Sequence, residues 1–416
     1  MSAAKLQAPR GTQDVLPEDA AARTAVERAA RAVLEPAGYR RIETPTFEQT
    51  ELFSRGVGAS TDIVQKEMFT FRDQGDRSMT LRPEGTAPVV RAYLEHGMHK
   101  EPQPVRLWYL SSFFRQEKPQ KGRFRQFWQV GAEAIGAADP AVDAELVVLL
   151  RELLESLEVR QVQLRINSLG TPESRAVYRE ELTRHLRAHG DRLSDDVRSR
   201  IELNPLRAFD SDHAGTQEVM ASAPLLQDFV SDEDRDHFAE VRALLDAAGV
   251  PYEIDPTLVR GLDYYTRTIF EFTSGELGAQ SAVGGGGRYD GLVEQLGGPA
   301  TPGCGWAAGI ERMLLAAGAR PEPEPVVDLF VAWEPEARRT AFEVLTEARR
   351  AGLGAQMDLA GRSRKGQVKQ AARLGARYVA FVGADGCALQ DTEAGEQEDV
   401  DPAAVVARVI NGRHLA

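Results

Sequence analysis

Residues 104–136 read PVRLWYLSSFFRQEKPQKGRFRQFWQVGAEAIG, two runs rich in aromatic and β-branched residues flanking Gln116–Gly122, a basic segment with Pro119 and Gly122 in it. That arrangement predicts an antiparallel strand pair joined by a long loop. Side chains alternate faces along a strand, so Arg123, Arg125, Phe127, Gln129 and Glu133 are expected together in the second run. Tyr109, Phe113, Arg115 and Glu117 share the same face in the first, and Phe124, Trp128, Val130 and Ala132 turn towards a core.

A charged strand face is often only a wetted one. Here Tyr109, Phe113 and Phe127 are mixed with the charges, and aromatics are seldom left to water in such numbers, which favours the floor of a polar pocket. Arginines on such a floor suit phosphate, because the guanidinium fork is always charged and binds oxyanions bidentately.

A chain of 416 residues has room for two or three domains, and 42% hydrophobic with 27% charged residues is the balance of an ordinary globular protein. No apolar run approaches the ~20 residues of a membrane helix, and the start MSAAKLQAPRG lacks the apolar stretch of a signal peptide, so a cytoplasmic protein is expected. Cys304 and Cys387 are far apart and suggest neither a disulfide framework nor a zinc site. His185 and His189 have helical spacing, but residue 186 is Leu and not Glu, so the zincin pattern fails and both read as helix-surface residues. No metal site made of protein side chains is expected. The net charge of -13 argues against indiscriminate nucleic-acid binding but leaves room for a local basic footprint.

Outward from the central pair, Ala8–Pro17 reads as a loop, Ala20–Leu34 as an amphipathic helix, and Arg40–Phe47 as a short strand that Pro45 confines to an edge. Val57–Phe71 reads as a loop. Thr80–Thr86 reads as a strand end turning sharply, and Glu84 and Thr86 are placed to cap a helix over Ala87–Leu94. Pro140–Leu157 is a helix with a leucine face, and Gln161–Ile166 a strand. Residues 170–249 turn helical and charge-rich, with helices at Glu173–His189 and Glu233–Ala248. Asp255–Ser274 returns to strand composition around Arg260-Gly261-Leu262-Asp263-Tyr264-Tyr265, where Arg260 could serve a ligand or simply pair with Asp263. Gly284–Asp290, GGGGRYD, has neither the P-loop nor the dinucleotide pattern. The Pro- and Glu-rich Arg320–Pro325 reads as a stiff linker, and beyond it short strands at Val326–Val331, Ala355–Asp358 and Tyr378–Val382 alternate with helices. Lys365, Lys369, Arg373 and Arg377 recur every four residues and form either an RNA-facing stripe or a plain solvated face.

Phe114-Arg115-Gln116-Glu117 followed by Arg123-Phe124-Arg125-Gln126-Phe127 resembles the second signature motif of class II aminoacyl-tRNA synthetases, specifically the histidyl-tRNA synthetases. Leu258–Tyr265 resembles a segment peculiar to the histidyl enzymes. Gly284–Asp290 with Gly303–Trp306 and Gly309–Arg312 resembles the third motif, and the first helix with the Pro45 strand resembles the first, which builds a dimer interface.

The resemblance implies an α+β catalytic domain with a mixed, mainly antiparallel sheet over residues 1–169 and 250–320, a helical insertion domain at 170–249 that helps hold the tRNA acceptor arm, and a C-terminal α/β anticodon-binding domain at 326–416. It implies a homodimeric histidine–tRNA ligase acting on histidine, ATP with Mg²⁺, and tRNA(His). Arg115 and Arg260 would meet the α-phosphate from opposite sides and also bind histidine, with Arg260 close enough to hold its carboxylate; Arg123 and Arg312 would meet the outer phosphates, and Glu117 the adenine end. Glu84, Gly85, Thr86 and Gln129 would hold the backbone groups of histidine. Glu133 would accept an imidazole N–H with Tyr265 beside it, and Tyr264 and Tyr289 would complete the histidine pocket. Lys365, Lys369, Arg373 and Arg377 would face tRNA. Two other readings remain: a histidine-sensing regulatory subunit of ATP phosphoribosyltransferase, and a class II synthetase for proline or threonine.

Overall fold

The computed structural model describes residues 6–58, 61–202, 205–318 and 327–413. The chain divides into two compact units, residues 1–320 and 321–416. The expected linker at Arg320–Pro325 lies outside the described residues.

In the first unit the central pair forms as the alternation requires. Val105–Phe114 and Gln126–Ile135 run antiparallel, with Tyr109 opposite Gly131 and Phe113 opposite Phe127. They lie within an eight-stranded sheet whose order is Arg40–Arg41, Val105–Phe114, Gln126–Ile135, Gly303–Gly309, Ala282–Arg288, Thr266–Ser274, Val162–Ser168 and Glu253–Ile254. Only the two outermost strands pair in parallel, so the sheet is mixed and mainly antiparallel.

One face of this sheet carries the main core. Trp108, Val130 and Ala132 pack there against Leu146, Leu150, Leu153 and Leu154 of the helix Pro140–Ser156. That helix starts on a side-chain cap, with Asp139 accepting from Ala141 N at 2.8 Å and Pro140 in the first turn, where a missing N–H costs nothing. Helix Pro17–Leu34 contributes Val26, Ala30 and Leu34 to the same cluster.

Several expectations are corrected. The strand expected over Arg40–Phe47 keeps only Arg40–Arg41, and Phe47–Gln49 belongs to a separate three-stranded sheet with Ser78–Leu81 and Phe69–Arg72. Pro45 cannot donate to a ladder, and the Arg82 guanidinium takes the Thr44 and Pro45 carbonyls at 2.6 and 3.3 Å instead. The loop expected over Val57–Phe71 contains a helical turn at Ile63–Glu67 and a strand from Phe69. The strand expected over Asp255–Ser274 begins only at Thr266, so Arg260 stands on a loop.

Within 170–249, helices Pro172–Ala188, Asp195–Arg200 and Ala214–Met220 surround a cluster that includes Tyr178, Leu182, Val197 and Val219. The last helix, Asp232–Ala247, instead places Val241 and Leu245 in the main core. His185 and His189 are half-buried rather than on the surface, with His185 Nε2 at 2.9 Å from the Val219 carbonyl.

The second unit has a five-stranded sheet in the order Ala355–Met357, Leu329–Trp333, Tyr378–Val382, Cys387–Asp391, Glu396–Val400. The first three strands are parallel and the last two form an antiparallel hairpin. The edge strand EQEDV is almost wholly exposed and therefore shows no apolar alternation.

Candidate active site

The glycine-rich strands and the central pair frame a cleft of about 1020 Å³ of free space, its open mouth included. Glu84, Gly85, Thr86, Arg115, Glu117, Arg123, Gln129, Arg260, Tyr264, Tyr265 and Arg312 all line it, although they come from four distant stretches of chain. Tyr109 and Phe127, read from the sequence as part of the polar face, line it too.

At one end three guanidinium groups gather. Arg115 Nε donates to the Pro83 carbonyl at 2.9 Å and its head lies 5.3 Å from the Phe127 ring centre. Arg312 Nη1 donates to the Ala282 carbonyl at 2.7 Å and Nε to Gly122 at 3.1 Å. Burial, and then the charges of Arg123 and Arg115, push the affinity of Arg312 for its proton below the usual arginine value. Such a cluster of like charges is built to be neutralised by an anion.

Glu117 places a carboxylate inside this cluster. Its Oε2 lies 2.6 Å from Arg123 Nε and its Oε1 3.7 Å from Arg115 Nη1. The Arg123 contact is close but misaligned for a hydrogen bond, so it acts as an ion pair. Both oxygens thus face arginines while the residue lines the cleft. Arg125 and Phe124 are corrected. The strand starts at Gln126, so alternation does not reach them; Arg125 N donates to Gly11 O at 2.7 Å, and Phe124 lines the cleft instead of the core.

At the other end hydroxyls and carboxylates gather. Glu84 accepts from the amides of Thr86 and Ala87 at 2.8 and 3.0 Å, capping the helix Thr86–Glu95 while it lines the cleft. Burial raises its carboxyl above the ordinary range despite those two amides. Glu133 and Tyr289 stand behind the wall. Glu133 is fully buried, takes the hydroxyls of Thr86 and Tyr289 at 2.8 and 2.7 Å, and is reached more weakly by Tyr109 at 3.5 Å. Glu133 therefore meets the cleft through hydroxyls that occupy its oxygens, that of Tyr109 being the most weakly held and itself part of the cleft wall.

Loss of hydration pushes the Glu133 carboxyl up to about 8, against the opposing bonds from Tyr289 and Thr86. Between the ordinary carboxylate range and pH 8 an unfolded chain ionises this group while the folded protein keeps its proton. This group's contribution to stability therefore falls as pH rises through that window, by at most ~1.4 kcal/mol per pH unit. Glu133→Gln, which cannot ionise, should lose that component. Thermal midpoints measured from pH 5 to pH 8 will check this, since equal slopes in both proteins would exclude Glu133 as the source.

Arg260 is not paired with Asp263. Its Nη1 donates to Glu271 Oε2, a residue that sequence reasoning missed because the partner lies 11 positions away on the following strand. In the second unit Lys365, Lys369 and Arg373 are exposed along the helix Arg364–Arg373. Arg377 falls beyond the helix end, pairs with Glu393 at 2.8 Å and stacks on Tyr378, so it leaves the stripe.

The sequence model of the histidyl-tRNA synthetase family matches residues 11–313. A histidine–tRNA ligase of Streptomyces avermitilis is 49% identical over 413 residues, covering 97% of this chain and 98% of its own. One from Desulforamulus reducens is 47% identical, with 94% and 96% covered. Among solved structures, the apo histidyl-tRNA synthetase of S. aureus superimposes with a TM-score of 0.82 at 38% identity, over 97% of this chain and 100% of that one. A Bacillus halodurans protein described as an ATP phosphoribosyltransferase regulatory subunit/histidyl-tRNA synthetase shares the fold at 22% identity and a TM-score of 0.67, over 91% of this chain and 98% of that one. Sequence identity near one half over almost the whole length, on top of the match to residues 11–313, decides the matter: the chain belongs to the histidyl-tRNA synthetase family.

Proposed function

We infer that the protein is a histidine–tRNA ligase. The observation that carries this reading is that Arg115 and Arg260, from a central strand end and a distant loop, line the same cleft as Glu84, Gln129 and Arg312. In the first step the histidine carboxylate attacks the α-phosphate of ATP and pyrophosphate leaves. In the second a ribose hydroxyl at the tRNA 3′ end attacks the histidyl carbonyl and AMP leaves.

Both steps build negative charge, first at phosphorus and then at a tetrahedral carbon, so fixed cations and close positioning are what the protein must supply. Arg115 and Arg260 flank the α-phosphate, while Arg312 and Arg123 take the outer phosphates, where their mutual repulsion is relieved. Glu84 and Gln129, with Gly85 and Thr86 beside them, hold the ammonium and carbonyl groups of histidine. Tyr264 and Tyr265, whose ring centres are 4.8 Å apart, wall the imidazole. Glu133 accepts the ring N–H in place of its weakest partner, the Tyr109 hydroxyl. Tyr289 holds the opposite carboxylate oxygen still.

Mg²⁺ brought in with the nucleotide would supply charge neutralisation. Among the described residues no group of three His, Cys, Asp or Glu is placed to hold an ion, and Glu117 is engaged by arginines, so no side chain is assigned to the metal.

The protein acts as a homodimer. Support comes from the motif-1 resemblance and from Phe47 and Phe71, which stack edge to face 5.9 Å apart and stay half-exposed. The helices of residues 172–220 approach the acceptor arm, and the second unit receives the anticodon arm of tRNA(His). No helix among the described residues is long and apolar enough to cross a membrane, which agrees with work in the cytoplasm.

Exchange of labelled pyrophosphate into ATP, run with each amino acid in turn and followed by charging of tRNA, tests the reading. Histidine alone should support both reactions, and no charging at all would favour the regulatory-subunit alternative. Reversing Lys365, Lys369 and Arg373 to Glu should raise the KM for tRNA about tenfold and leave pyrophosphate exchange unchanged. Unaltered charging kinetics would remove the stripe from tRNA binding.

A further inference from the structure

Arg260 stands on a loop, and an arginine on a loop samples many rotamers unless something holds it. Its Nη1 donates to Glu271 Oε2. Glu271 sits on the strand Thr266–Ser274, directly opposite Arg165 on one neighbouring strand and Gly285 on the other. Arg165 Nη2 donates to Glu271 Oε1 at 2.7 Å, and its Nη1 to Asp255 Oδ2 at 3.0 Å.

Asp255 is fixed in turn. Its amide donates to the Ile166 carbonyl at 3.0 Å, and its Oδ1 accepts from Thr257 N and Oγ1 at 2.9 and 2.6 Å. A little further along, Asn167 Nδ2 donates to the Leu258 carbonyl at 3.1 Å, two residues before Arg260. Four charges of alternating sign, Asp255, Arg165, Glu271 and Arg260, thus run from the strand Val162–Ser168 to the cleft. Of the four, Arg260 is the member that lines it.

Space is reserved for this guanidinium. A Cβ at Gly285 would lie 2.6 Å from the Phe270 carbonyl and 3.2 Å from Arg260 Cζ and Nη1, so a side chain there would clash with the backbone and crowd the guanidinium. Charge is balanced as well. Glu271 bound to Arg260 alone would cancel much of the field that a phosphate needs, whereas Arg165 shares that carboxylate and leaves Arg260 fixed yet still attractive to an anion.

We propose that Glu271, clamped by Arg165, is the positioning residue that aims Arg260 at the reacting phosphate, a role that rests on the ligase reading above. It touches no substrate atom. Its effect is on how often Arg260 occupies the productive geometry, where a misplacement of about 1 Å can lower the rate ~10²-fold.

The test is histidine-dependent pyrophosphate exchange by the full chain, as wild type, Glu271→Ala, Glu271→Gln, Arg165→Met, Arg260→Ala and the Arg260→Ala/Glu271→Ala double variant. Glu271→Ala should lower kcat by roughly 30- to 100-fold with the histidine KM within about threefold. Glu271→Gln, which keeps an oxygen acceptor in place, should recover most of that loss, and Arg165→Met should fall between. In the Arg260→Ala background the Glu271→Ala change should add nothing, because the group it acts through is gone. A merely structural ion pair would lower both backgrounds alike, and that result overturns the proposal. So does a kcat within about threefold of wild type in Glu271→Ala, or a loss confined to KM. If Glu271→Ala does not fold, wild-type rates in both Glu271→Gln and Arg165→Met overturn it equally. Absence of histidine-dependent exchange in the wild type is a separate outcome, which defeats the ligase reading before any variant is compared.

Discussion

Arg260→Ala is expected to reduce histidine-dependent pyrophosphate exchange by roughly 10³-fold while histidine itself still binds, weakened only in part. In the proposed site histidine is held mainly by Glu84, Thr86, Gln129 and the tyrosine wall, and the hydrogen bonds that fix Glu84 and Thr86 do not involve Arg260. In the proposed mechanism the charge that develops on the α-phosphate is met by Arg115 and Arg260, of which Arg260 comes from the distant loop before the strand Thr266–Ser274. Removing it also leaves Glu271 with Arg165 alone, so an acid then stands where a cation stood. Exchange measured beside equilibrium binding of histidine separates the two effects. Near-normal exchange would remove Arg260 from the mechanism.

Gly305→Ala is the second large effect. Gly305 lies directly opposite Glu133 across the sheet, and a Cβ there would come within 1.7 Å of Glu133 Oε2. The same Cβ would come within 2.7 Å of the Ala132 carbonyl, so neither the carboxylate nor the backbone offers an easy retreat. Displacing Glu133 breaks its bonds to Tyr289 and Thr86 and leaves buried polar atoms unpaired. The expected cost is about 3 kcal/mol, read as a fall of several degrees in the thermal midpoint of the variant. Histidine affinity should drop as well, since the floor that fixes Thr86 and Tyr109 is disturbed. An unchanged midpoint with unchanged affinity would mean that the floor is looser than its geometry indicates.

Much of the site was legible because strand alternation is a local rule. Tyr109, Phe127 and Gln129 follow from period two alone, and the opposite parity put Trp128, Val130 and Ala132 on the core side. The rule stopped working where the strand stopped. Phe124 and Arg125 precede Gln126, so parity said nothing about them. Arg377 failed likewise, since the helix ends at Arg373 and Gly375, at φ +63°, turns the chain away. The hairpin edge at Glu396–Val400 carried no apolar pattern because both of its faces are almost wholly exposed.

The order of motifs along the chain, the parity of the central pair and the wealth of arginine and glycine at particular positions were fixed before folding. They determined the class of fold and the cationic side chains available to the cleft, because both depend on short-range periodicity and on side-chain chemistry. Which groups face one another was decided only by the tertiary structure. Glu133 sits behind the wall and not in it, Glu117 is shared between two arginines, and Arg260 answers to Glu271 and Arg165. Those pairings join residues on different strands and loops, and a charge chooses its partner by distance in space, which the spacing of residues along a chain does not specify.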